Sequence, residues 1–176
     1  MVSKELSTHL TGRYYEIKIF PFSFIEFLNA RDIEKNKLQD LSYLKNKLEE
    51  YQIKGGYPEI IVKNLDHIAY LKTLVESVIF KDIVRRYNIR FSSELYELGK
   101  YLFNTFSTEL SLNRITKMLE IGSVHTVKRY LAYLEEAFLI VRIPRFSFKY
   151  NRHDYHKKLY ILAIHYTFSL GGALKS

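Results

Sequence analysis

The feature that most constrains this chain is the stretch from Ser107 to Lys149, where apolar residues recur at helical spacing, pause, recur again and run into a β-rich tail. Leu112, Ile115 and Leu119 stand three and four apart, which puts them on one helix face, and Ser111 just ahead of them suits an N-cap. Gly122 is expected to break that helix. Ser123 then opens a second one, because its hydroxyl can accept a bond from a first-turn N–H that has no partner inside the helix. Val124, Val127, Leu131, Leu134 and Phe138 form the expected inward stripe. The pattern after Phe138 is β-rich, and Pro144 with its basic neighbours is a candidate wing. Helix, turn, helix and wing in this order is the punctuation of a winged helix-turn-helix.

The outward face of the second helix carries His125, Thr126, Lys128, Arg129, Ala132 and Tyr133. Lys and Arg reach phosphates or guanine edges, and small residues let a backbone come close, so this face suits a DNA major groove. The expected DNA contacts are His125, Thr126, Lys128, Arg129 and Tyr133 from the helix, with Arg142, Arg145, Lys149 and Arg152 from the wing. A fold does not fix its partner, so the same unit used only for protein packing is the competing reading.

Charge favours the first reading. The chain carries a formal +8, and from Arg142 to Lys158 six basic residues face Asp154 alone, a net of +5 beside the expected recognition helix. Clustering of that kind favours a polyanion partner. With 176 residues and 47% hydrophobic content, the chain is long and apolar enough for one sizeable domain or two small ones. No apolar run approaches the roughly 20 residues needed to span a bilayer. The N-terminus has no apolar signal region, and without cysteine there is neither a disulfide framework nor a thiolate zinc site. A cytoplasmic location is the default expectation.

The first half reads as helices with one strand. Leu6 and Leu10 belong to a helix that Gly12 stops, and Tyr15, Ile17 and Ile19 alternate with Glu16 and Lys18 as in a strand with one wet face. Ser23 and Glu26 stand as a capping box, with Phe22 and Phe27 as a hydrophobic staple, so a short helix through about Ala30 is expected. A further helix over 36–51 would bury Leu38, Leu41, Leu44, Leu48 and Tyr51, and Gly55-Gly56-Tyr57-Pro58 would end it in a turn. A long helix from about Leu65 to Tyr87 would turn Ile68, Leu71, Val75, Val78 and Ile79 inward. Residues 93–106 would add another, with Leu95, Leu98, Leu102 and Phe106 inward, and Lys157 to Ile164 a strand that could pair with the wing.

Taken together, Leu10-Thr-Gly-Arg13, Phe20 to Leu28, Gly55-Gly-Tyr-Pro-Glu59, Lys81-Asp-Ile83 with Arg86-Tyr87, Thr126 to Glu135 and Lys158-Leu-Tyr-Ile161 resemble the prokaryotic AAA-type P-loop ATPases that carry a C-terminal domain of unknown function. The resemblance runs over nearly all of the chain. It implies an ATPase core, a helical lid, a winged helix and a nuclease-like region, with ATP and magnesium as the family's cofactors. By the same resemblance Arg13 could aim its guanidinium at a nucleotide. This sequence has no Gly-x-x-x-x-Gly-Lys-[Ser/Thr], and Ala163-Ile-His-Tyr replaces the aspartate and glycine the family places after the Lys-Leu-Tyr-Ile strand. The expectation is therefore a fragment, a truncated gene product or one piece of a split protein, which needs no cofactor of its own and hydrolyses no ATP.

Other chemistry is thinly represented. His153 and His156 flank Asp154 but lack a further ligand, so no metal site is expected, and no nucleophile stands in a hydrolase motif. The expected fold class is mainly α with a small β component. Residues 1–90 would form the remnant of an ATPase core edge and a helical lid-like bundle, and residues 91–176 a winged-helix domain with a truncated extension. The leading expectation is a non-catalytic, C-terminal portion of an AAA-type ATPase that binds DNA. The alternative is an interaction or oligomerisation module that docks on an ATPase partner chain or on another copy of itself, and neither needs a membrane.

Overall fold

A computed structural model describes residues 17, 19–31, 39–105, 109–144 and 159–162. Among them are seven α-helices, one π-helical segment and three short strands, a mainly α chain with a small β component. The helices are α1 (Phe24–Asn29), α2 (Leu41–Lys54), α3 (Pro58–Lys63), α4 (His67–Glu76), α5 (Ser92–Asn104), α6 (Leu112–Met118) and α7 (Val124–Glu136). The π segment, Ser77–Val84, continues α4. The strands are β1 (Glu109–Leu110), β2 (Val141–Pro144) and β3 (Leu159–Leu162). The helix expected over residues 3–11, with Gly12 and Arg13, lies outside the described residues.

Local chemistry explains where the helices begin. Ser23 forms a complete capping box, its hydroxyl accepting from the Glu26 N–H while the Glu26 carboxylate accepts from the Ser23 N–H. Asp40 and Asp66 cap α2 and α4 through their carboxylates. Because Asp40 sits where it does, α2 starts at Leu41, later than the apolar pattern implies, and runs on to Lys54, where Gly55 at φ 76 closes it. Its apolar stripe is also less covered than expected: no residue of α2 is fully buried, and Leu41 and Leu48 are exposed.

Three corrections concern helix ends. Pro58 does not simply terminate a turn; it occupies the first position of α3, where its missing N–H costs nothing and its fixed φ suits a helix. Gly122 does not stop α6. Glu120 does, by taking φ 52 so that the Ile121 N–H reaches back to the Thr116 carbonyl at 3.1 Å. α7 ends the same way, with Phe138 at φ 56 and the Leu139 N–H on the Leu134 carbonyl at 2.9 Å. Phe138 is consequently thrown off the inward stripe and is exposed, its ring edge-on to Phe20 at 6.3 Å, while Leu139 takes the buried place.

The main core joins Ile60 from α3 to Leu71, Val75, Ile79 and Ile83 from the α4–π helix, to Leu95, Leu98, Leu102 and Phe103 from α5, and to α6, α7 and Leu139–Ile140. The division expected near residue 90 falls in the turn between the π segment and α5, and buried side chains on both sides of it belong to this one cluster. Ile68, expected inward, is exposed. A second, smaller cluster holds Phe27, Leu28 and Ile61, with Phe22, Phe24, Leu44 and Tyr51 packed on it. On its rim Glu50 is held by Lys47, Lys54 and Arg31 at 2.8, 2.9 and 3.3 Å. Burial pushes the Glu50 carboxyl up, but hydrogen bonds and charge from Lys47 and Lys54 outweigh it and lower it to about 2, so the cluster stays charged through the mildly acidic range.

The three strands form an antiparallel sheet in the order β1-β3-β2. Val141 pairs with Leu162 and Pro144 with Leu159, so β2 and β3 face each other along their whole length. Residues 145–158, which link them, are outside the described residues. Ile17, Ile19 and Phe20, the described part of the alternating stretch near the N-terminus, form exposed irregular backbone and no strand.

Candidate nucleic-acid interface

α7 begins at Ser123, whose hydroxyl accepts from the Thr126 N–H at 3.0 Å and lies 3.0 Å from the Thr126 hydroxyl. Val127, Tyr130, Leu131 and Leu134 are buried and fix the rotation of the helix. Tyr130 is a core residue that the apolar stripe did not include; its ring is buried, and burial beside Glu94 pushes its phenol up. That rotation leaves His125, Lys128, Arg129 and Ala132 exposed, with Thr126 half-buried at the cap. Neither Lys128 nor Arg129 enters an ion pair with another described residue.

Two of the expected contact residues are engaged within the protein. Tyr133 stacks on Tyr87 with centroids 3.7 Å apart and planes 12° from parallel. Beside that stack, Arg86 is paired with Asp82 and lies 3.8 Å from Glu136, and burial together with Glu136 pushes the Tyr87 phenol up. The group ties the end of the π segment to the last turn of α7. Arg142, at the start of β2, donates through Nε to the Glu135 carboxylate at 2.6 Å and is also paired with it through Nη2. Its charge is therefore offset locally. Arg145, Lys149 and Arg152 lie outside the described residues, as does Arg13.

The cationic part of the face is thus Lys128 and Arg129, ahead of the tethered end of α7. A signal that separates the two is present in the sequence: Glu135 and Glu136 follow Tyr133 closely and mark where the helix turns to internal pairing. Among the described residues there is no group of acidic and histidine side chains able to hold a metal. No helix among them is long and apolar enough to cross a membrane.

The model for a domain of unknown function, DUF8612, matches residues 45–163, from the interior of α2 to the end of β3, and the chain belongs to that family. An uncharacterized protein of Methanocaldococcus jannaschii, MJ1544, is 31% identical over 180 residues, which cover 97% of this chain and 40% of that protein. An uncharacterized protein of Haemophilus influenzae is 30% identical over 155 residues, covering 85% of this chain and 38% of its own length. The chain thus spans about two fifths of the length of these curated relatives. No solved structure matches the chain.

Proposed function

We propose that residues 92–162 form a winged helix-turn-helix that binds duplex DNA, with α7 as the recognition helix and the β2–β3 hairpin as the wing. The element order helix, strand, helix, helix and two antiparallel strands, with sheet order β1-β3-β2, supports the fold reading. The observation that carries the function is the exposed Lys128 and Arg129, which form no ion pair among the described residues, on a helix whose opposite side is locked into the core. His125, Thr126 and Ala132 complete a face of small and hydrogen-bonding residues that can approach base edges. Arg145, Lys149 and Arg152 of the wing are proposed phosphate contacts on their charge alone, while Arg142 serves first to hold the strand to α7 through Glu135.

In this reading α1 to the π segment is the lid-like bundle of an AAA-type ATPase, a placement that rests on the sequence resemblance alone. This portion is non-catalytic, and ATP with magnesium belongs to the parent architecture. Arg13 is carried along as a nucleotide contact only on the strength of that resemblance.

Replacing Lys128 and Arg129 together by alanine is expected to weaken duplex binding by tenfold or more and to reduce the slope of log K against log salt by about 1.8, that is about 0.9 for each phosphate no longer neutralised. Fluorescence anisotropy at several salt concentrations reads both quantities. Equal affinity and equal slope for the double variant and the wild type would remove α7 from the interface.

A second reading has its own support. Ile17, Ile19, Phe20 and Ile25 expose large apolar side chains, which suits a module that docks on an ATPase chain or on another copy of itself. Such docking would be insensitive to Lys128 and Arg129.

A further inference from the structure

Ser77–Val84 carries α4 onward in π geometry, and the helix is pinned to a different neighbour on either side of the segment's midpoint. Upstream, Ile79 lies over Gly99 of α5, and the Phe80 ring is 5.3 Å from that of Tyr96, whose hydroxyl donates to Glu76 at 3.1 Å. Downstream, Arg86 lies 3.8 Å from Glu136 and Tyr87 stacks on Tyr133, both in the last turn of α7. Turns closed by i→i+5 bonds are rare, so a run of them persists only where contacts from outside the helix hold it.

The series Leu71, Val75, Ile79, Ile83 and Tyr87 gives the reason. Each stands four residues after the last; the first four are buried and Tyr87 meets α7. Any two neighbours in the series look like an ordinary helical pair, but an α-helix of about 3.6 residues per turn lets such a stripe drift by about 40° a step. From Val75 to Tyr87 the drift would reach about 120°, which takes Tyr87 away from α7. A turn closed by i→i+5 bonds holds more than four residues and drifts the other way, so α4 followed by the π segment keeps the whole series on one side. We infer that the π segment is a conformational relay between the first bundle and α7. In π geometry it delivers Arg86 and Tyr87 to the last turn of α7; relaxed to α geometry it turns them away, moves Ile83 to the margin of the core and frees that end of α7. Engagement of α7 holds the π form, and by linkage whatever moves the end of α7 is felt in α4. The relay needs no ligand on α7 and stands apart from the DNA reading.

Deleting Lys81, an exposed residue inside the segment, removes the surplus residue. The series then runs four, three and four from Val75, the spacing of an ordinary α face, and each contact named above lies wholly upstream or wholly downstream of the deletion. The deletion variant is expected to fold and to melt at or above the wild-type temperature. A melt well below it would show that the surplus residue belongs to the packing, and would overturn the relay. Hydrogen exchange read by mass spectrometry then tests the coupling, with Tyr133→Ala made in both backgrounds. In the intact chain Tyr133→Ala is expected to speed exchange across residues 77–87 about tenfold relative to α5, the scale of one lost aromatic pair, because each passage between π and α geometry changes the acceptor of every amide in the segment. In the Lys81 deletion the same substitution is expected to leave residues 77–87 unchanged, since the helix no longer needs α7 to keep its form. Equal acceleration in both backgrounds, or none in either, would overturn the relay.

Discussion

Phe103→Ala is expected to lower the melting temperature by on the order of 10 °C. The ring is fully buried in the main cluster and sits one turn after Gly99, where an added Cβ would lie only 3.3 Å from Ile79 Cδ1. Truncation there removes the transfer free energy of the ring and leaves a cavity that two helices and the π segment can only partly close. Deletions of this kind cost about 3–5 kcal/mol. Each kcal/mol shifts the midpoint of a chain this size by about 2–4 °C. Circular dichroism melts are the measurement, with Phe91→Ala as the exposed control, expected to stay within about 0.5 kcal/mol of wild type. A Phe103→Ala melt indistinguishable from wild type would mean that α5 does not pack against the π segment.

Gly56→Ala is expected to open the small N-terminal cluster. A Cβ at Gly56 would lie 2.3 Å from the Phe22 carbonyl oxygen, well inside contact distance. That oxygen cannot simply retreat, since it accepts the Tyr51 hydroxyl at 2.6 Å, and the Phe22 N–H donates to the Gly56 carbonyl at 2.7 Å. Relief therefore breaks at least one of these bonds and displaces Phe22 from Phe27 and Tyr51. Overpacking with rupture of a hydrogen bond costs about 2–3 kcal/mol. Because Phe27, Leu28 and Ile61 form a cluster apart from the main one, the damage should be local. Limited proteolysis is expected to cut faster within residues 17–31 while α5 to α7 stay protected. Uniform acceleration along the chain would show that the two clusters open together.

These two sites also mark what is legible in the sequence. Caps can be read because a hydroxyl or carboxylate two or three residues before an N–H is a local arrangement, and Ser23, Ser111 and Ser123 all act as expected. The apolar stripes of α5 and α7 can be read because one side is buried along the whole length. That of α2 cannot, since its stripe lies on a small cluster that covers only part of it, and periodicity carries no information about how much partner surface exists. Helix ends escape sequence reasoning for another reason. Residues without special turn propensity, Glu120 and Phe138, take the left-handed conformation because the buried Ile121 and Leu139 that follow hold the turn from outside. The π segment gives no local sign either: Ile79 and Ile83 are four apart, as in any helix.

At the candidate interface the residue types are legible and their commitments are not. Lys128, Arg129, Tyr133 and Arg142 look alike as members of a polar, basic face. Only tertiary structure assigns Tyr133 to Tyr87 and Arg142 to Glu135, leaving Lys128 and Arg129 outward. The Tyr87 stack and the Arg86 pairs also give a reason why α7 can present these cations in a fixed pose: its last turn is anchored to the π segment.

Amide chemical-shift mapping of the labelled protein during titration with a short duplex tests the central claim most directly. Binding by the outward face of α7 should move the amides of residues 123–132 first and in saturable fashion. Shifts confined to Ile19–Ile25 and the small cluster, or none within 123–132 while the duplex binds, would contradict it.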